Sequence, residues 1–435
     1  MPITMPQDTR TILGADAAKC ESRSLFMNRF AYPDAKDSGN NHPRRDWFNK
    51  LCGKQALAVA AGSRSDWLGQ VTSAGKGQIL YAQLQSRMMV NMAGGVMENA
   101  GLCLDRFGLP YIPGSAVKGC ARRMAIQILL EARESGEHVD NLSQMLAAIG
   151  LVFGWGEQDW GDKQKDGRFI SDFAYAIGDK QWRDVRSLAR KLLPASDSFG
   201  GSVSFVPSYL VDIGKLSGLP SEVPDLGKLE LDVVTCHHGD YYANPDAVTA
   251  SDTEEPVPVV FPAVAAGQIF VFAVLPLRDC SSELVTKART WLTNGLQLFG
   301  LGAKTAAGYG WFEDVSVVIH QTHEVSRKER ELEAQQRSAQ AAIEAARATL
   351  QPDGELLEKF KSLKEPDLRG QINQFSTEER FWTVKDELVQ LTMLYFLCVA
   401  APGLFTADRA KPSSKIAKAI THLSAKFPHI VPTKP

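Results

Sequence analysis

The sequence has no excess of charge of either sign, and this limits how it can bind a polyanion. Its 435 residues include 48 Lys and Arg and 50 Asp and Glu, which gives a formal net charge of -2. The chain as a whole therefore has no basic field for a nucleic acid. Nucleic-acid binding would need a local basic patch or basic surface supplied by partners.

The sequence also lacks paired cysteines and long hydrophobic runs. Its seven cysteines are dispersed without a C-x-x-C pair, a pattern typical of reduced thiols rather than of disulfides or a zinc knuckle. The N-terminus has no signal-peptide pattern. The most apolar stretch, 391–405, has only 15 residues and contains Pro402 and Gly403, too short to span a bilayer. We expect a soluble, cytoplasmic protein with no membrane partner and no cofactor or metal.

The middle of the chain alternates between strand and helix patterns. The helix that follows Pro113 is expected to have Ser115 as its N-cap and to run to about Arg133, and 136–200 is insertion-like without a sustained period. A second helix is predicted over 281–298. The predicted strands cover 78–90, 202–211, 229–236, 268–275 and 311–319. The core order is strand, helix, strand, strand, helix, strand, which is typical of an α+β, ferredoxin-like or RRM-like domain with long insertions.

Composition divides the chain into three predicted regions. Residues 1–76 form an irregular or helical extension, and 77–320 form the domain with the sheet. Residues 321–350 contain no Pro or Gly and ten charged residues, so 321–435 reads as a solvated helical stalk followed by an all-helical module. The segment 406–435 holds six Lys or Arg against one Asp, the clearest local basic excess.

The glycine-rich segment GLGAKTAAGYG, Gly300 to Gly310, is the most informative motif. It is not a P-loop, because Ala303 separates the glycine from Lys304-Thr305, and it is not a dinucleotide fingerprint, because a helix precedes it and a strand follows. A backbone without Cβ atoms can approach a ligand closely, and with Lys304 beside it the loop suits a phosphodiester backbone. The alternative is a tight helix-to-strand turn without a ligand.

A second basic motif lies in LPYIPGSAVKGCARR, residues 109–123. Lys118 and Arg122 are four residues apart and share a helical face, with Arg123 alongside. Such a face can follow phosphates, and the alternative interpretation is an ordinary solvated helix face.

The pair His237-His238 has three possible roles: a metal site, a site that stacks on a base, and a structural feature of a strand end. Neighbours on a strand point to opposite faces, and no second His or Cys cluster completes a coordination sphere with Asp232 and Asp240. The adjacent Tyr241 and Tyr242 favour stacking on an RNA base. The alternative is a strand end with satisfied histidines.

These motifs resemble a known family. YIPGSAVKGCAR looks like the "PGSSLKGALR" element, and GLGAKTAAGYG like the glycine-rich loop, of the RAMP superfamily of CRISPR effector subunits. Three further stretches are similar to the sixth subunit of type III-B (Cmr) complexes: LDVVTCHHGDYY (231–242), PVPVVFPAVAAGQIFVFAV (256–274) and LVFGWG (151–156). The resemblance covers about residues 78–320. It departs from the family where Pro207-Ser208 stand in place of an expected Phe-Asp-Ala.

The resemblance implies a non-catalytic RNA-binding subunit near the 3′ end of the guide RNA (crRNA). It would help hold the crRNA–target RNA duplex and contact the repeating backbone subunit and a neighbouring RAMP subunit, leaving sequence recognition to base pairing. The residues expected to bind RNA are Ser115, Lys118, Arg122, Arg123, His237, His238, Gly300, Gly302, Lys304, Thr305, Gly308 and Tyr309.

Three alternatives remain open at the level of sequence. A metal-independent endoribonuclease that processes crRNA would need a general base, for which His237 or His238 is the candidate. Cleavage of target RNA would need a loop aspartate, and Asp105, Asp159 and Asp172 are not distinguished from one another. A purely structural scaffold would use the glycine-rich loop against protein only. We predict no catalytic residue.

Overall fold

The computed structural model describes most of the chain as two compact units, Met1–Thr322 and His323–Pro435. Each unit has its own hydrophobic core. The described residues are 5–14, 17, 19–31, 42–56, 59–94, 101–161, 169, 171–213, 216–244, 246–277, 279–377 and 387–430.

The first unit is built on an antiparallel sheet. Its spatial order is β2-β4-β7-β1-β8, with β3 also paired to β7, while β5 and β6 form a separate two-stranded hairpin. The strands are β1 Gln78–Leu84, β2 Tyr111–Ile112, β3 Val203–Phe205, β4 Ser208–Leu210, β5 Leu229–Cys236, β6 Val257–Val264, β7 Ile269–Pro276 and β8 Phe312–Asp314.

Helices cover both faces of this sheet. The helices of the first unit are α1 Gln7–Leu13, α2 Arg23–Arg29, α3 Pro43–Gly53, α4 Val59–Ala74, α5 Gly114–Glu134, α6 Val139–Phe153, α7 Asp172–Ile177, α8 Asp179–Lys191, α9 Gly239–Ala243 and α10 Ser282–Leu298. Because strand side chains alternate between faces, Leu80 and Phe272 point towards α5 and α10. Tyr81 and Val271 point to the other face, where Leu68 of α4 covers them.

The second unit is helical. It begins within α11 Ser316–Thr349, most of which is exposed, and its core includes Phe360, Ile372 and Leu397. Its other helices are α12 Gly354–Ser362, α13 Glu365–Thr377, α14 Glu387–Tyr395 with a π-helical continuation Phe396–Ala400, α15 Thr406–Arg409 and α16 Lys415–Lys426. These elements confirm a mixed α+β fold with a helical C-terminal region. No helix in the described part of the chain has the length and hydropathy to cross a membrane.

The stretch 136–200, predicted to be insertion-like without a sustained period, contains regular helices. Helices α6, α7 and α8 fill much of this stretch and bury apolar side chains against α5. Helices α6 and α8 have 15 and 13 residues and bury an apolar stripe, but α7 has only six, and the Gly-, Trp- and charge-rich segment between α6 and α7 interrupts the pattern. The three helices are separated by Gly154 and Gly178, whose positive φ angles of 82° and 72° end one helix each time.

Several predicted boundaries also differ. Strand β1 ends at Leu84 rather than at 90, and the strand predicted over 202–211 is divided into β3 and β4. Helix α5 begins at Gly114 with Pro113 in the N-cap position, so Ser115 is the second helical residue and does not cap the helix. The last strand ends at Asp314, whose Oδ1 accepts a hydrogen bond of 2.8 Å from the Ser316 N–H and so begins α11. The predicted strand over 311–319 was therefore too long.

Strand β6 was not predicted as a strand. Pro258 and Pro262 within it argue against a central strand. They are accommodated because β6 belongs to a two-stranded sheet, in which Pro258 lies opposite Thr235 and Pro262 opposite Leu231.

Candidate nucleic-acid interface

The hairpin of β5 and β6 lies between α3 and the glycine-rich loop. Its register pairs Leu231 with Pro262, and Leu231 packs on the core cluster that contains α3. On the opposite face, Asp232 pairs with Phe261. Phe261 belongs to a small apolar cluster that includes Tyr309 of the loop. The hairpin is thus the support on which the loop rests.

Protein contacts account for much of the backbone of the glycine-rich loop. The Leu301 N–H donates to Gly310 O, the Gly310 N–H to Arg87 O and the Ala303 N–H to Met89 O, and each bond is 2.8 Å long. A Cβ on Gly302, where φ is 104°, would come within 2.2 Å of Met89 O. The loop is therefore fixed against residues 87–89.

Tyr309 joins the loop to the hairpin through a charged network. Its hydroxyl donates a hydrogen bond of 2.5 Å to Asp232 Oδ2. Arg87 donates to the same oxygen at 3.0 Å and to Glu230 Oε2 at 2.9 Å. Burial, followed by the bond to Asp232, raises the pKa of Tyr309 to about 12. Burial opposes ionisation of Asp232, but the bonds from Tyr309 and Arg87 outweigh it and lower the pKa of that carboxyl.

Lys304 is the cation at the centre of the loop. It takes the left-handed conformation, with φ 59° and ψ 29°, at the start of a 3₁₀ turn over Thr305–Ala307. Its Nζ lies 5.5 Å from the centroid of the Phe261 ring, and it forms no ion pair with any residue that the structure describes. Thr305 accepts a hydrogen bond of 3.2 Å at its carbonyl from the Trp311 indole. Gly308, with φ 90°, faces open space.

The cations of α5 differ in their availability. Arg122 donates two hydrogen bonds of 2.8 Å to the two carboxylate oxygens of Asp172 and lies 3.6 Å from Asp159. Lys118 is half-buried, and burial followed by the charge of Arg122 lowers its pKa. Lys118 pairs with no acid in the described part of the chain. Arg122 and Arg123 line a groove of about 340 Å³ along α5 and α7.

The two basic segments meet at the start of the loop. Cys120 Sγ of α5 lies 3.6 Å from Gly300 O, and the Arg123 guanidinium stacks 4.1 Å from the centroid of Phe299. Helix α10 approaches α5 so closely that a Cβ on Gly295 would lie 2.9 Å from Cys120 O. The structure therefore brings the helix that carries Lys118 and Arg123 against the first residue of the glycine-rich loop.

The histidine pair lies elsewhere, just beyond the end of β5. His237 lies five positions after Asp232, about 16 Å at the usual strand rise. His237 is exposed, and the Nδ1 atom of half-buried His238 is buried without a hydrogen-bond partner. The connection from 237 to 256 has five carboxylates and no Lys or Arg, which makes the tip of the hairpin acidic. Tyr242 is 71% exposed in it.

Part of this arrangement was missed at the level of sequence. Arg87, Glu230 and Phe261 hold the loop, yet none was singled out, because their partners lie more than forty residues away along the chain in each case. The only local signal for a partner cation was the spacing of Glu230 and Asp232, which are two residues apart and therefore lie on the same face of β5. Within the described ranges, no group of three His, Cys, Asp or Glu side chains is placed to hold a metal ion.

Comparison with known families identifies the class of protein to which this sheet and glycine-rich loop belong. The model of the RAMP superfamily matches residues 75–313, more than half of the chain, so the chain belongs to that superfamily. It is homologous to the CRISPR system Cmr subunit Cmr6 of Pyrococcus furiosus, with 27% identity over 234 residues, 52% of this chain and 64% of the relative. The aligned stretch is less than two thirds of the relative's length. The resemblance stated from the motifs is confirmed.

Solved structures give weaker likenesses. A cryo-EM structure of the type III-B Cmr-beta complex bound to cognate target RNA is 15% identical and covers 67% of this chain and 79% of that chain, with a TM-score of 0.37. The crystal structure of Cmr6 from Pyrococcus furiosus is 23% identical, covers 55% and 97%, and has a TM-score of 0.29. These scores are low, so the family assignment rests on the sequence matches.

Proposed function

We propose that the chain is a cytoplasmic, RNA-binding subunit of a type III-B (Cmr) effector complex that does not cleave RNA. It would cap the backbone near the 3′ end of the crRNA and help hold the crRNA–target RNA duplex, in contact with the backbone subunit and a neighbouring RAMP subunit. Homology to Cmr6 over 234 residues supports the assignment. The packing of α5 against Gly300 is the observation that carries the RNA-binding part.

The proposed core is ferredoxin-like. Strand β1, helix α5, the interrupted strand β3–β4, strand β7, helix α10 and strand β8 follow one another in the order strand, helix, strand, strand, helix, strand. In the sheet, β7 lies between β1 and β4, which supports a split β-α-β arrangement. Helices α6 to α8 and the β5–β6 hairpin are the insertions.

The proposed phosphate contacts are Lys118, Arg123 and Lys304. Lys118 and Lys304 form no ion pair with described residues, and Arg123 is exposed beside the loop. Contacts to phosphates position a protein without reading sequence, which leaves recognition to base pairing. Arg122 is proposed to act through Asp172 as a positioning residue, since both oxygens of that carboxylate already accept from its guanidinium.

A scaffold without RNA contact is the second candidate. Its support is the engagement of the Leu301, Ala303 and Gly310 N–H groups by protein carbonyls, which removes them as phosphate ligands. The two candidates differ in Lys304, because a scaffold does not need its charge.

The nuclease alternative is disfavoured by charge. The five carboxylates between His237 and Pro256, without a Lys or Arg, repel a phosphate backbone from the only histidine pair. A general base must lie within hydrogen-bond reach of the ribose 2′-OH, and an acidic hairpin tip opposes that approach.

The deciding experiment measures RNA binding and cleavage by the purified chain, with and without a divalent metal. Binding to crRNA without cleavage, weakened by salt as expected for a few phosphate contacts, is the expected result. Metal-independent cleavage that is lost in His237→Ala or His238→Ala would overturn the proposal. Binding that is unchanged in Lys304→Gln, both in the chain and in the assembled complex, would favour the scaffold.

A further inference from the structure

The last helix of the second unit presents a basic face that the superfamily match, which ends at residue 313, does not include. Residues 409–430 contain five Lys or Arg and no Asp or Glu. Three of these cations, Lys411, Lys415 and Lys418, are exposed on and just before α16. We call these three lysines the α16 patch.

Packing fixes the direction in which the patch points. Ile416, Ala419 and Leu423 of α16 are buried, and they pack in the clusters that contain Phe360 and Phe427. Because helical residues three and four apart share a face, burial of this apolar stripe turns Lys415 and Lys418 outward. The helix is anchored by Ser414, whose Oγ accepts a hydrogen bond of 3.1 Å from Ala417 N–H.

Several cations of this unit have acidic partners, and those of the patch have none among the described residues. Lys426 lies 3.0 Å from Glu387, Arg369 lies 2.8 Å from Asp408 and Lys361 lies 2.7 Å from Glu358. None of the three patch lysines forms an ion pair with a residue in the described ranges. Their charge is therefore left for an external anion.

The position of the lysines along the helix also points to an anion. Lys415 and Lys418 lie in the first four residues of α16, at the positive end of the helix dipole, where cations oppose helix formation. An anion bound there would relieve that repulsion and interact with the first-turn N–H groups that Ser414 does not cap. Three ammonium groups exceed the charge of one phosphodiester, so a chain of successive phosphates matches the patch better than a single ion does.

We propose that the α16 patch binds the phosphate backbone of RNA, so that the second unit provides a contact separate from the glycine-rich loop. The ligand class rests on the proposed function of the chain. The contact is sequence-independent, because lysine ammonium groups are compact point charges that suit phosphates rather than base edges.

The test compares two neutralising variants of the full chain in binding a fluorescent single-stranded RNA over a range of salt concentrations. One variant carries Lys411→Gln, Lys415→Gln and Lys418→Gln. The control carries Lys359→Gln, Lys361→Gln and Lys364→Gln, the same change of charge on exposed residues in and after α12. Each phosphate contact to a single strand contributes about 0.7 to the slope of log K against log salt concentration, so the loss of three contacts should lower the magnitude of that slope by about 2. Near 0.1 M salt this corresponds to binding weaker by up to about a hundredfold. The control should remain within about twofold of wild type, since its lysines lie among Glu355, Glu358 and Glu365.

Each outcome decides a different claim. Equal weakening of both variants would show a general effect of net charge and overturn the patch. Unchanged binding by the α16 variant, with wild-type RNA binding intact, would overturn the patch and leave the proposed function standing. Absence of RNA binding by wild type, both alone and with the other subunits, would overturn the proposed function itself. Competition by polyglutamate as strong as that by RNA of equal charge would assign the patch to an acidic protein instead. Thermal unfolding of each variant checks that α16 remains folded.

Discussion

The Tyr309 hydroxyl donates a hydrogen bond of 2.5 Å to Asp232 Oδ2, and this bond connects the glycine-rich loop to the β5–β6 hairpin. The two residues are 77 positions apart in the sequence. Arg87 donates to the same carboxylate oxygen, so three segments of the first unit meet at one group. The conformation of the loop that is proposed to lie against RNA is thereby coupled to a hairpin whose tip is acidic.

Replacing Tyr309 with Phe should destabilise the first unit without breaking the Arg87–Asp232 pair. A hydrogen bond to a charged group contributes about 1.5–3 kcal/mol, and a partly exposed bond should lie near the lower end. Urea unfolding monitored by tryptophan fluorescence measures the change. Tyr242→Phe is the matched control, because that side chain is 71% exposed, and it should change the free energy of unfolding by less than about 0.5 kcal/mol. Equal effects of the two substitutions would contradict the assignment.

The same bond predicts a dependence of stability on pH at both ends of the scale. Asp232 has a lowered pKa in the folded state, so its stabilisation is present above the unfolded value of about 3.9 and is lost as pH falls through the folded pKa. Tyr309 has its pKa raised to about 12. Its stabilisation is present below about pH 10, the unfolded value, and is lost as pH rises towards 12. The free energy of unfolding, measured from pH 3 to 12, should show neither of these two pH dependences in Asp232→Asn. A curve for Asp232→Asn that runs parallel to the wild-type curve would refute the coupling between Asp232 and Tyr309.

Substitution at Gly302 should cost more stability than at Gly308, although both have positive φ. An alanine Cβ at Gly302 would meet Met89 O at 2.2 Å, whereas at Gly308 it meets open space. Gly308→Ala therefore carries only backbone strain, of order 1 kcal/mol, while Gly302→Ala must also displace residues 87–89. Denaturant unfolding of both variants measures the difference. If Gly308→Ala were the more damaging variant, the loop would not be held against Met89 as described.

The sequence was sufficient for the elements whose signals are local. Helices α5 and α10 follow from periodicity, because one face of each is buried. Strands β1, β5 and β7 were also predicted, although β7 is buried on both faces over Ile269–Val274 and β5 is mostly half-buried. Strand β6 was missed because its two prolines mimic a break, and only the partner strand shows that they lie in a two-stranded sheet. Charge pairing was not predictable either. Arg122 was expected to face phosphates, but Asp172, fifty residues away, accepts two of its hydrogen bonds and Gly154 O a third.

That pairing separates two cations that look equivalent in the sequence. Arg122→Gln breaks a bidentate ion pair and should destabilise the first unit by about 1–2 kcal/mol, with its effect much reduced in an Asp172→Asn background. Lys118→Gln breaks no ion pair with a described residue and should leave the free energy of unfolding within about 0.5 kcal/mol of wild type.

In RNA binding the order of the two variants should reverse. Lys118→Gln should lower the salt slope of log K by about 0.7, the value for one contact to a single strand, while Arg122→Gln, measured where it is fully folded, should leave the slope unchanged. A drop in slope for Arg122→Gln equal to that for Lys118→Gln would show that the guanidinium reaches phosphate despite Asp172.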